Sequence, residues 1–72
     1  MANFNINANI RVKQYLHHNN TAQDKRAIKG FFIGLRTKGL YAARRTALVH
    51  GSSSLVYLID TLSQEYVNSH KF

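Results

Sequence analysis

Positive charge is concentrated in the first two thirds of this sequence. Nine of its ten Lys and Arg residues lie between Arg11 and Arg45, and the chain has only three Asp and Glu residues. On an α-helix, at about 100° per residue, Lys25, Lys29 and Arg36 fall within about 40° of one another. Such a row of cations can follow a phosphate backbone. The alternative is an ordinary solvated helix face, but the uniform sign of the charge favours a polyanionic ligand, with nucleic acid as the leading candidate.

One aromatic residue is also a candidate for nucleic-acid binding. Tyr41 precedes Arg44 and Arg45, and an aromatic ring beside guanidinium groups can stack on an unpaired base. Tyr41 fits a core position equally well, and for Phe32, which borders the basic row, the core is favoured. Because recognition of unpaired bases is typical of RNA, we predict RNA rather than DNA. The candidate nucleic-acid-binding residues are Lys25, Arg26, Lys29, Arg36, Lys38, Tyr41, Arg44 and Arg45.

The other ionisable residues do not form a catalytic or metal-binding pattern. Asp60 and Glu65 are five residues apart, so on a helix they point in different directions. The four histidines lack the spacing of metal ligands, and there is no cysteine to join them. We therefore predict that the protein is not an enzyme and uses no cofactor or metal. The less favoured alternative is a metal-independent ribonuclease that uses His50 with Arg44 or Lys38.

A short loop rich in glycine and serine, Gly51-Ser52-Ser53-Ser54, precedes the last predicted helix. Its amides and hydroxyls could hold one phosphate at the positive end of that helix. The interpretation that we favour is structural: a C-cap glycine followed by an N-cap serine.

Length and composition indicate one small domain. A chain of 72 residues buries about 60% of the surface that its unfolded form exposes, so a lone monomer is marginal. Without a disulfide or metal to compensate, we predict a homodimer. The net charge of +7 attracts phosphate polymers or acidic surfaces. The sequence has no signal peptide and no membrane span, which predicts a cytoplasmic protein; a basic helix lying on an anionic bilayer is less favoured.

Hydrophobic periodicity predicts a mainly α fold, with a short N-terminal β-strand followed by three to four helices. Apolar and polar residues alternate from residue 3 to residue 13, with Phe4, Ile6 and Ala8 on one side. This period of two is typical of a half-buried strand. We predict a strand at about 3–8 and a short helix at about 10–18. The alternative ends the strand near Asn7 and begins the helix at an Asn9 cap.

Local capping signals define the next helix. Thr21 and Asp24 resemble a capping box, so a helix should begin at Ala22. Gly39 suits the position just after its end.

Two further helices are predicted, from Leu40 to His50 and from Leu55 to about Ser69. The last helix has the best apolar stripe, which makes it the candidate for the core and for the dimer contact: Leu55, Leu58, Ile59, Leu62 and Tyr66. Gly30 and Gly34 lie inside the second helix, where each costs about 1 kcal/mol relative to alanine. Two explanations fit these glycines: another backbone that passes close to that face, or a break in the helix near Gly34.

The N-terminal half resembles the ribbon-helix-helix family, in which a short strand pairs with its copy in a dimer and two helices follow. Asn3, Asn5, Asn7 and Asn9 lie where members of that family place side chains that read the major groove. The resemblance implies a DNA-binding repressor.

In size, charge and composition, the chain also resembles small basic RNA-binding proteins of T4-like phages. That resemblance implies RNA binding in the host cytoplasm, by a regulator or by an inhibitor of a host defence or toxin–antitoxin nuclease. It carries over no individual residue. The remaining alternative is a protein-binding inhibitor that docks on a host protein without nucleic acid.

Overall fold

The computed structural model describes residues 3–69 and shows four α-helices joined by short loops. The helices are α1 (Asn3–His18), α2 (Ala22–Thr37), α3 (Leu40–His50) and α4 (Leu55–Ser69). α2 and α3 form an antiparallel hairpin with the most extensive contact in the fold, and α4 packs against both α1 and α3. The mainly α class is therefore confirmed. Within residues 3–69, no helix is long and apolar enough to cross a membrane.

The predicted N-terminal strand is wrong, because this segment belongs to α1. Phe4 and Ala8 are buried, but Ile6 and Ile10, which the strand would also turn inward, are 58% and 50% exposed. Phe4, Ala8 and Val12 are spaced by four, a spacing that keeps residues on one side of both a strand and a helix. A helix satisfies its own backbone hydrogen bonds, whereas a strand needs a partner, and the described chain contains no other strand.

The asparagines that supported the ribbon-helix-helix resemblance consequently lie on a helix. Asn5, Asn7 and Asn9 are exposed along α1. Because residues 3–69 contain no strand that could pair with a copy of itself, the fold does not support a ribbon-type DNA-binding repressor.

The capping residues set the limits of α2 as predicted. The Thr21 hydroxyl accepts a hydrogen bond from the Asp24 amide at 3.2 Å, and the helix begins at Ala22. At the other end, Gly39 has a φ of 101°, a left-handed conformation that favours glycine, and its amide donates to the Gly34 carbonyl. This tight turn directs α3 back along α2.

The hairpin depends on a close contact between Gly34 and Ala43. A Cβ atom at Gly34 would lie 2.9 Å from both the Cα and the Cβ of Ala43, closer than carbon atoms pack. The expected close approach of another backbone is thus confirmed at Gly34. It is wrong at Gly30, where a Cβ atom would meet open space.

The core forms where α4 meets the inner faces of the other helices. Leu55, Ile59 and Leu62 are fully buried together with Phe31 of α2. Tyr66 packs edge-on against Phe4, with ring centroids 5.2 Å apart. The apolar stripe of α4 therefore lies in the core, as predicted. Because one chain buries this stripe by itself, the stripe is not available as a dimer contact, and the homodimer stays a prediction.

Candidate nucleic-acid interface

All three acidic residues of the chain are engaged by its own side chains or backbone. Asp60 accepts a hydrogen bond from Arg44 at 2.6 Å, in an ion pair between α4 and α3. Glu65 is paired with Arg11 of α1, with 2.6 Å between the guanidinium and the carboxylate. The third acid, Asp24, is 2% exposed and lies inside a hydrogen-bonded network. Each of the three carboxylates is therefore bound by groups of the chain itself.

The Asp24 network joins α1, α2 and the loop before α4. The Tyr15 hydroxyl donates to the Asp24 carboxylate at 2.6 Å. The Ser52 amide and hydroxyl donate to it at 2.9 Å and 2.8 Å. Burial alone would raise the pKa of Asp24, but these hydrogen bonds stabilise the ionised form, and its pKa lies below the ordinary value. Burial and the bond to Asp24 raise the pKa of Tyr15.

The same network decides the role of the glycine–serine loop. Gly51 is the C-cap of α3, and its amide donates to the Ala47 carbonyl. The Ser52 amide and hydroxyl, two of the groups that could hold a phosphate, already bind the Asp24 carboxylate. Ser52 therefore serves the fold, and the C-cap part of the favoured interpretation is confirmed at Gly51, whereas the N-cap serine stays a prediction.

Most cations have no such partner. Nine of the ten Lys and Arg residues lie within residues 3–69, and ion pairs with carboxylates of that part of the chain involve only Arg11 and Arg44. Of the other seven, Lys13 is on α1. The remaining six are exposed residues of the hairpin or its turn, and we call them the basic hairpin surface: Lys25, Arg26, Lys29, Arg36, Lys38 and Arg45. Among the described residues, their charge is uncompensated.

The α2 part of this surface is a row. Lys25, Lys29 and Arg36 are exposed and lie within about 40° on the helix, over an axial length of about 16 Å. Arg26 flanks the row, and Ile33, which is 42% exposed, lies beside it. A row of this length is long enough to contact several successive phosphates of one strand.

The α3 part of the surface is smaller and carries an aromatic ring. Tyr41 is 77% exposed, so it is not a core residue, and Arg45 follows one turn later on the same side. Phe32, in contrast, packs against the core and contacts Phe31 edge-on at 5.5 Å between ring centroids. Arg44 points to Asp60 on α4. The structure thus brings Tyr41 and Arg45 together and sets the predicted residue Arg44 apart.

A second exposed aromatic residue was not singled out by the sequence. Tyr57 of α4 is 82% exposed and lines an open cleft against α1. The sequence assigned α4 to the core, but Tyr57 lies about 160° from Leu55 on the helix, so a helical wheel could have placed it on the outer face.

The described residues contain no candidate metal site. No group of three or more His, Cys, Asp or Glu side chains converges within residues 3–69, and His70 lies outside them. Asp60 and Glu65 both lie on α4 but pair with different helices, Asp60 with Arg44 of α3 and Glu65 with Arg11 of α1.

Comparisons with known proteins found no matching family model, no matching curated protein and no matching solved structure. The function is therefore inferred from the residues of this chain alone.

Proposed function

We propose that this protein binds nucleic acid through the basic hairpin surface, with RNA as the favoured ligand. Lys and Arg side chains contact the phosphates, which gives affinity with little sequence specificity. The proposed setting is the cytoplasm. No catalytic step is part of this function.

The observation that carries the proposal is the distribution of paired and unpaired charge. The three acids are held by Arg11, Arg44 and the Asp24 network, so none of them forms an ion pair with a cation of the basic hairpin surface. Six exposed cations then share one helical hairpin without an ion-pair partner in residues 3–69. Unpaired charges of one sign repel one another, and a polyanion relieves that repulsion and releases its counterions on binding.

The exposed ring of Tyr41 supports a ligand with unpaired bases. It lies between Lys38 and Arg45 along the chain and is 77% exposed. Base stacking on an exposed aromatic residue is typical of single-stranded nucleic acid, because duplex bases are already stacked on one another. Single-stranded RNA is therefore favoured over duplex DNA.

The test is the affinity for equal lengths of single-stranded RNA, single-stranded DNA and duplex DNA over a range of salt concentrations. If five phosphates are neutralised, the logarithm of the binding constant for a single strand falls with log salt at a slope of about −3.5. Lys29→Gln removes one contact and makes the slope shallower by about 0.7.

The matched control is Lys13→Gln. Lys13 is also an exposed helical lysine, and its loss changes the net charge by the same amount, but it lies on α1. We expect it to leave the slope unchanged. Equal effects of the two variants would show that the hairpin is not the interface. If the protein bound none of the three polymers at low salt, nucleic-acid binding would be refuted and a protein partner would be favoured instead.

A further inference from the structure

The cleft between α1 and α4 is separate from the basic hairpin surface. Its lining includes Arg11, Gln14 and Tyr15 of α1, and Tyr57, Leu58 and Thr61 of α4. Leu58 is only 7% exposed, whereas the ring of Tyr57 is 82% exposed. The cleft thus combines a buried apolar residue, an accessible aromatic ring and several neutral hydrogen-bonding groups.

Two of the three acids in the chain fix residues that line this cleft. Asp24 accepts the Tyr15 hydroxyl at 2.6 Å, which holds that ring in place from the buried side. Glu65 accepts from the Arg11 Nε at 2.8 Å and from its terminal nitrogen at 2.6 Å. The α1 wall of the cleft is therefore ordered before any ligand arrives, and preorganisation of this kind lowers the entropic cost of binding.

The charge of the cleft indicates what it can hold. Arg11 is the only charged residue in its lining, and Glu65 already balances that charge. A phosphate gains little from a paired guanidinium. The uncharged groups suit a planar, neutral ring with polar edges: Tyr57 offers a face for stacking, and the exposed Gln14 amide can both donate and accept hydrogen bonds.

We propose that this cleft binds one unpaired nucleobase, which stacks on Tyr57 and is contacted at its edge by Gln14. Because this base belongs to the RNA strand bound by the basic hairpin surface, the inference rests on the proposed function. The bond between Tyr15 and Asp24 joins the cleft to the first turn of α2, where the basic row begins at Lys25. A strand whose phosphates follow that row from Arg36 toward Lys25 reaches the end of α2 at which Asp24 accepts the hydrogen bond from Tyr15 of the cleft.

The first test uses nucleosides, which carry no phosphate and so probe the cleft without the basic hairpin surface. The full chain is titrated with uridine, cytidine, adenosine and guanosine while its backbone amides are followed by NMR. We expect saturable shifts at millimolar nucleoside in the residues around Gln14 and Tyr57. Tyr57→Ala should abolish the shifts around Gln14, and Val49→Ala, a control at an exposed residue of α3 outside the cleft, should retain them.

The second test uses single-stranded RNA and an abasic strand of equal length. Tyr57→Ala should weaken RNA binding about tenfold without changing the salt slope, and should leave the abasic strand unaffected. The cleft proposal is overturned if nucleosides cause no shifts there, or if the shifts persist in Tyr57→Ala. Because Lys29→Gln tests the hairpin through the salt slope, failure of the cleft and failure of the proposed function give different results.

Discussion

Asp24 accepts hydrogen bonds from both the amide and the hydroxyl of Ser52, a residue 28 positions later in the chain. The same carboxylate accepts the hydroxyl of Tyr15. One buried charge thus ties the end of α1, the start of α2 and the loop before α4. Since Asp24 is 2% exposed, its ionised form depends on these three donors.

Asp24→Asn should destabilise the fold. The amide keeps the shape of the side chain, but its NH₂ group replaces an acceptor and faces donors, so buried hydrogen bonds are lost. We expect the free energy of unfolding to fall by about 1–3 kcal/mol in urea denaturation. Asp60→Asn is the matched control, because its carboxylate is half exposed in a surface ion pair, for which a loss of about 0–1 kcal/mol is expected. Equal losses in both variants would contradict a special role for Asp24.

The Asp24 network also predicts how stability depends on pH. Because the pKa of Asp24 is lowered in the folded state, the unfolded chain takes up a proton at higher pH than the folded chain does. Ionised Asp24 contributes fully to the free energy of unfolding above the ordinary carboxyl pKa of about 3.9. That contribution is lost as the pH falls through the lower pKa that Asp24 has in the folded state. Denaturation measured from about pH 5 down to about pH 2 should show a steeper loss of stability with falling pH in the wild type than in Asp24→Asn. Parallel curves would exclude this linkage.

Much of the fold follows from local sequence signals. Thr21 and Gly39 delimit α2, and the apolar stripe from Leu55 to Tyr66 defines α4, because capping and a period of 3.6 are properties of short segments. The N-terminal error has an equally local cause. The spacing of Phe4 and Ala8 fits both the period of two in a strand and the period of 3.6 in a helix. Only the tertiary packing shows that Ile6 faces outward.

The site was less predictable, because it depends on which charges meet after folding. The basic row of α2 follows from spacing within one helix. The pairing of Arg44 with Asp60, in contrast, joins residues 16 positions apart on different helices. The sequence gives no sign that Arg44, unlike its neighbour Arg45, is turned toward a carboxylate. The cleft at Tyr57 likewise needs α1 and α4 together, and no single segment contains it.

Removing the carboxylate partner of Arg44 should strengthen RNA binding. Asp60→Asn releases a guanidinium that lies next to Arg45 in the sequence and is 44% exposed. If it reaches a phosphate, the salt slope becomes steeper by about 0.7, with a higher affinity at low salt. The double variant Asp60→Asn/Arg44→Gln keeps the wild-type net charge but lacks the released guanidinium, so its slope should return to that of the wild type. An unchanged slope in Asp60→Asn would place Arg44 outside the interface.

The two glycines of α2 should respond oppositely to alanine. At Gly30 the added methyl group meets open space, so Gly30→Ala should raise the free energy of unfolding by up to about 1 kcal/mol through helix propensity. At Gly34 it would lie 2.9 Å from the Cα of Ala43, and the hairpin must open to admit it. Overpacking of this kind costs about 1–3 kcal/mol, which offsets or exceeds the gain in stability from the higher helix propensity of alanine. Urea denaturation of both variants measures the difference. If Gly34→Ala proved as stabilising as Gly30→Ala, the close contact between α2 and α3 would be refuted.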